Sequence, residues 1–270
     1  MSLTEAIAQM PGNSFGRWGS MGSYSDSYYW QEYQRRKEEG GNVGPFQRQD
    51  NGFGIMPVSA TLKQEIIWAN FQTNEVSRKE VEMKLKANAF WFSGATFFPV
   101  AKAGNKAAMA VTWMITGSLF EFRPGPIPNG TGGTSEYSVQ VMQMGMPLGM
   151  EYKTGCDAVL NKSLKSCFSF GAGVNPILTS ALIGIETGTT TVSARPYLKA
   201  EFGFFAGMCF KLRGLYTLGR LNYVNIENSP TLISAGSLSS LQIRDNTPGT
   251  FALSLVIVPL SYDWEDSKIY

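Results

Sequence analysis

The sequence predicts an all-β protein, an up-and-down antiparallel transmembrane β-barrel of about eight strands with an N-terminal extension. Three observations predict it. Hydrophobicity alternates with period two over runs much longer than the five or six residues of an ordinary strand. In the clearest run, Arg195 to Gly214, an apolar row of Leu198, Ala200, Phe202, Phe204, Ala206, Met208, Phe210 and Leu212 alternates with Lys199, Glu201, Gly203, Gly207, Lys211 and Arg213. Charged residues make up only 16% of the chain, below the roughly 25% of soluble domains, while hydrophobic residues reach 43%. A small barrel has a lumen just wide enough for side chains, so a face of glycines and charges suits its interior and an apolar face suits lipid. A β-sandwich also alternates, apolar inward and polar outward, so the second reading is a soluble β-sandwich subunit of a large assembly.

Residues 1–53 read as an extension, rich in Gly, Ser, Asn, Arg and Gln and poor in aliphatics. "LTEAIAQM" predicts a short helix, with Ser2 and Glu5 as a capping box and a stop at Pro11 and Gly12. "SDSYYWQEYQRRKEEGG" predicts a second helix that begins at Asp26 or Ser27 and ends at Gly40 and Gly41. Such a segment is either a solvated or disordered tail or a docking element. Tyr28, Tyr29, Trp30, Tyr33, Arg35 and Arg36 are residue types enriched at protein interfaces, and they make the candidate partner-binding set. The first residues have neither the basic start nor the apolar core of a signal peptide.

Residues 54–270 read as the barrel. Strands are expected over Val58–Phe71, along "VEMKLKANAFW" (Val81–Trp91), and over Ala107–Phe122. "SVQVMQMGMPLGMEYK" places Met142, Met144, Met146, Leu148 and Met150 on one face, with a bulge or break at Pro147, which cannot donate to a ladder. Leu164–Leu178 makes another strand, Ser193–Tyr223 makes one long strand or two, and further strands fall near Tyr216–Val224 and over Thr250–Tyr262. Between them lie turn signals such as "KAGNK", "RPGPIPNGTGGT" and "RDNTPG". Lys199, Glu201, Lys211 and Arg213 are expected to form a charge network in the lumen with Glu82, Lys84 and Lys86 of another strand, because buried ions need partners. Trp68, Trp91, Trp113, Tyr152, Tyr197, Tyr216, Tyr262 and Trp264 are candidates for interfacial girdles.

Composition narrows the function. The chain has no histidine, which removes Ser-His-Asp and Cys-His catalysis and histidine metal ligation. "GNSFG" matches a nucleophile-elbow pattern, but Ser14 has no histidine partner and follows no apolar strand. Cys156, Cys167 and Cys209 show no C-x-x-C spacing; Cys156 and Cys167 would meet across a hairpin if they faced each other, and Cys209 reads as a packed thiol. No catalytic residue, metal site or cofactor is expected. A net charge of +2 without a concentrated basic face gives no case for nucleic acid.

Three stretches resemble a known family. "YSVQVMQMGMPLGMEYK" is similar to the "YLEIPLLLKY" strand of the small outer-membrane β-barrels of Bacteroidota, with Met146, Pro147 and Leu148 at the I-P-L positions. "KSCFSFGAGVNPIL" resembles that family's "F-x-x-GAGP-x-L" strand through Phe170, Gly171, Ala172, Gly173 and Pro176, and "PYLKAEFGFFAGMCFKLRGLYTLG" its following long strand. The resemblance spans Tyr137 to Tyr262. It implies an outer-membrane location, a lipid bilayer as the immediate surroundings and no enzymatic activity. The function it implies is that of a structural subunit that anchors other envelope proteins, since some members serve secretion or gliding machinery.

Overall fold

The computed structural model describes residues 48–70, 75–128, 134–183, 187–233 and 236–264. The alternating runs become β1 (Asp50–Asn70), β2 (Glu75–Gly104), β3 (Ala107–Phe122), β4 (Val139–Gly145), β5 (Leu148–Gly155), β6 (Ser166–Ile183), β7 (Thr187–Ala206), β8 (Met208–Leu218), β9 (Asn222–Ile233), β10 (Gly236–Asp245) and β11 (Gly249–Val258). A single helical turn, α1 (Cys156–Val159), follows β5. Every pairing is antiparallel. The first strand begins at Asp50, within the stretch expected to be extension.

These pieces make a ring of eight. β4 and β5 are one strand interrupted at Met146–Pro147, where the expected break falls. The ladder carries on across it, with the Met146 amide donating to the Pro176 carbonyl at 3.0 Å and the Met114 amide to the Pro147 carbonyl at 2.9 Å. Ser193–Tyr223 resolves into separate strands, turned at Gly207 and broken again between Leu218 and Asn222. Gly207 has φ +75°, a conformation side chains rarely adopt, and it lets Ala206 pair directly with Met208. β9 continues β8, and β10 runs into β11. The eighth position is therefore a bent strand that pairs with β1 twice, through β10 at Ala60–Ile67 and through β11 at Asn51–Ile55. Since β1 also pairs with β2 along its whole length, the sheet closes. Closure excludes the two-sheet sandwich.

A membrane crossing by a tilted strand takes about 9–11 residues, yet β1, β2 and β7 run for 21, 30 and 20. The surplus lies toward one end, away from the tight turns at Asn105–Lys106 and Gly207. Near the turn end the outer face is apolar: Phe53, Ile55, Phe90, Phe92, Trp113, Ile115, Met144, Met146, Leu148, Phe170, Leu198, Phe202, Phe204, Leu212 and Leu255 are all exposed. This band circles the ring. Toward the far end the outer face turns polar, and Lys63, Glu80, Glu82, Lys84 and Lys86 take the exposed positions.

The interior changes in the opposite sense. Toward the far end it is apolar, with Val58, Ala60, Leu62, Leu85, Val139, Val141, Leu221, Tyr223, Leu241 and Ile243 buried together. Phe120, Phe122 and Tyr223 pack edge to face, their ring centroids 5.3 to 5.6 Å apart. The bends of the two broken strands are tied by Asp245, which accepts from the Leu221 amide at 3.0 Å and from the Tyr223 hydroxyl. Trp91, Tyr197 and Trp264, expected in interfacial girdles, are buried instead: Trp91 and Tyr197 lie at inward positions of the alternation, and Trp264, after the 3-10 turn Pro259–Asp263, packs beside Phe205. Trp113 is exposed in the band and Tyr152 is half-buried.

Candidate functional site: a sealed lumen

The inward face near the turn end is the most chemically dense part of the molecule. β5 contributes Glu151 and Lys153, β7 Lys199 and Glu201, β8 Lys211 and Arg213, each pair two residues apart and so on one face. Asp50 enters at the start of β1. Asp157 enters from α1, which the left-handed Leu160 ends after one turn. All eight groups are buried. Four are cations and four are anions.

Their contacts form one net. Arg213 donates through Nε to Glu201 Oε1 at 2.5 Å and through Nη2 to Asp50 Oδ2 at 2.6 Å, while Nη1 reaches Ser93 Oγ at 2.9 Å. Lys153 and Lys211 converge on Asp157 Oδ2 at 2.7 and 2.8 Å. Lys199 bridges Glu151 and Glu201, lying 3.1 Å from the latter. Ser169 donates to Glu201 Oε2 at 3.0 Å. Lys153 Nζ also stands 4.4 Å from the Phe97 ring centroid, a cation–π contact. Gly203 makes room: a Cβ there would lie 2.8 Å from Lys211 Cγ, so only glycine lets the lysine stem cross the strand. Balanced charge and multiple hydrogen bonds are the conditions under which buried ions are tolerated.

Between this net and the apolar interior lies a polar layer in which Ser118 donates to Gln143 and Gln143 to Thr179, both at 3.2 Å. A cavity of about 30 Å³ sits there, lined in part by Thr116, Ser118, Gln143, Asn175 and Thr217, with room for one or two waters. Ions, polar layer and apolar fill therefore succeed one another along the axis. On the far side of the apolar band Tyr137, in the connection from β3 to β4, donates to Gln64 Oε1 at 2.6 Å, and burial pushes its phenol well above the ordinary tyrosine range.

Lys199, Glu201, Lys211 and Arg213 thus meet in the lumen, while Glu82, Lys84 and Lys86 do not. The last three are exposed on the outer face of β2, and the inward residue there is Leu85. The correction has a physical cause: this part of β2 stands beyond the apolar band, where water lies outside, so charges point out and leucine points in. Asp50, Glu151, Lys153 and Asp157 were not foreseen. Glu151 and Lys153 had a usable signal, since they continue the face of Gln143 and Gly145 opposite the methionine row. Asp157 had none, being placed by the single turn α1 outside the alternating strands. Tyr28, Tyr29, Trp30, Tyr33, Arg35 and Arg36 lie outside the described residues.

A closed antiparallel ring with a lipid-compatible band, a polar lumen at the same level and tight turns at one end is the architecture of an outer-membrane barrel. The protein is such a barrel, and its location is the outer membrane.

No protein-family model matches the chain, and no curated protein matches it by sequence. Among solved structures, the outer membrane protease OmpT from Escherichia coli aligns over 77% of this chain and 95% of its own, with 6% identity and a TM-score of 0.34. Neisserial surface protein A aligns over 76% and 98%, with 9% identity and a TM-score of 0.28. Ail, the attachment invasion locus protein of Yersinia pestis, aligns over 78% and 98%, with 9% identity and a TM-score of 0.27. At this distance no activity carries over from them.

Proposed function

We propose that the protein is a non-enzymatic, sealed barrel that anchors a larger envelope complex in the outer membrane, its N-terminal extension engaging the partner. The observation that carries this reading is the filled lumen. Eight ionic groups paired across the ring at one level and an apolar interior above fill the lumen among the described residues, which opposes passage of a solute. Its carboxylates Glu151 and Glu201 each stand against a lysine or an arginine, which favours a structural over a catalytic role for them. Work then falls to what the barrel holds in place, and the aromatic and arginine set Tyr28, Tyr29, Trp30, Tyr33, Arg35 and Arg36 has the composition of an interface core. The motif resemblance to Bacteroidota barrels makes secretion or gliding machinery the candidate assembly.

Photo-crosslinking residues placed at Trp30 and Tyr33 of the full-length chain test this in cells. Discrete adducts to one envelope protein, absent when the probe sits at Lys84, are expected. Crosslinks only to the chain's own barrel would remove the anchoring role. Stepwise ion conductance through planar bilayers holding the wild-type protein would overturn the sealed lumen.

A further inference from the structure

The chain contains three cysteines, 156, 167 and 209, and the fold brings all of them to one place. Cys156 opens α1, Cys167 lies second in β6 and Cys209 second in β8. Their Sγ atoms all lie within 4.8 Å of one another, at the turn end of the lumen just outside the ion net. Each is a free thiol and each is buried. Phe97, Ala110, Leu160, Val258 and Trp264 wall the group, and a Cβ at Gly203 would lie 2.7 Å from Cys167 Sγ, so the backbone itself leaves room for that sulfur.

We propose that Cys156, Cys167 and Cys209 form a three-sulfur site for a soft, thiophilic metal ion, cuprous copper being the chemistry that fits. Three sulfurs at about 2.3 Å from a central ion stand about 4 Å apart, so a group already within 4.8 Å closes on it with shifts of a fraction of an ångström each. Thiolates select soft ions. Zinc completes a tetrahedron with a fourth ligand, but there is no histidine in the chain, no carboxylate oxygen joins the group among the described residues, and the wall around it is apolar. Cuprous copper accepts three sulfurs alone.

The compartment points the same way. On binding, each ligating thiol releases its proton to solvent and a sulfur–metal bond replaces the S–H bond; the ion enters as copper(I), so no electron moves. An outer-membrane barrel presents its tight-turn end to the periplasm, where unprotected thiols are oxidised in pairs. Three clustered thiols would then end as one disulfide and one orphan, and a shared ion keeps all three equivalent.

The test is to refold the full-length chain anaerobically with copper(I) supplied from a competing chelator and to measure retained metal and its X-ray absorption. One equivalent of copper in a shell of sulfur alone, three neighbours at about 2.3 Å, is expected. Cys156→Ser, Cys167→Ser and Cys209→Ser should each lose that copper while keeping the gel mobility of the folded barrel. Should a variant fail to fold, the wild-type absorption spectrum decides by itself. Folded wild type without copper, a shell containing oxygen or nitrogen, retention of zinc in its place, or a disulfide in protein extracted from membranes under thiol-blocking conditions would each overturn the site.

Discussion

The two ends of the barrel obey one backbone rule and opposite chemical rules. Strand β2 passes through both. In its first half Glu80, Glu82, Lys84 and Lys86 point out and Leu85 and Ala89 point in; in its second half Phe90 and Phe92 point out, and Ser93 faces the Arg213 guanidinium inside. The switch falls between Asn88 and Phe90, with no change of period. Beyond the bilayer, water lies outside and the hydrophobic effect drives apolar side chains to the interior, as in a soluble barrel. Within the bilayer, lipid satisfies the apolar side chains and the interior takes the polar ones, on condition that they are paired. The difference teaches that alternation specifies two faces but leaves open which face is the inner one; the medium decides.

The largest expected effect comes from breaking the paired interior at the membrane level. Arg213→Met leaves Asp50 and Glu201 without their main partner, and removal of one member of a buried ionic set costs about 3–5 kcal/mol. Urea unfolding in liposomes measures it; a loss below the expected range would show that water, not pairing, satisfies this lumen.

Next is the outer face of the same level. Phe202 is exposed near the middle of the band, and Phe202→Arg should cost about 2–4 kcal/mol in the same assay, whereas Lys84→Glu beyond the band should stay within about 0.5 kcal/mol of wild type. Equal tolerance at the two positions would erase the distinction between the halves.

A smaller effect belongs to the apolar end. Asp245→Ala strips the Leu221 amide and Tyr223 hydroxyl of their acceptor at the bends of β8–β9 and β10–β11, which should cost about 1–3 kcal/mol and loosen only the end beyond the membrane. Hydrogen exchange should show faster opening in β9 and β10 with β5, β7 and β8 unchanged; uniform loosening of the ring would mean that the halves are not separable.

The smallest concerns exposed ions. Lys63 and Glu82 approach to 3.5 Å with both side chains largely in water, and Lys63→Gln should change stability by no more than about 1 kcal/mol. A loss comparable to that of Arg213→Met would show that the far end is shielded from solvent.

Much of the membrane-level barrel was legible in the sequence because there the pattern is local. The methionine row Met142 to Met150 faces outward through the Pro147 break, and Lys199, Glu201, Lys211 and Arg213 face inward, as period two requires once lipid is placed outside. The same logic misplaced Glu82, Lys84 and Lys86, since nothing in "VEMKLKANAFW" marks where the bilayer ends, and it sent Trp91 and Tyr197 outward by residue type although their parity points them in; Trp264 is turned inward by the 3-10 turn before it.

By itself, then, the sequence determined the class, the ring of about eight strands, the break at Pro147 and the two-faced character of the strands it marked, though not β10, which carries no clear alternation. Tertiary structure alone decided how far each strand outruns the membrane, the twofold pairing of β1 with β10 and β11, and the meeting of Asp50 with Arg213 and of Cys156 with Cys167 and Cys209. Those contacts join residues from 11 to 206 positions apart, with their separations set by ring closure and register. Neither quantity is carried by any short stretch of chain.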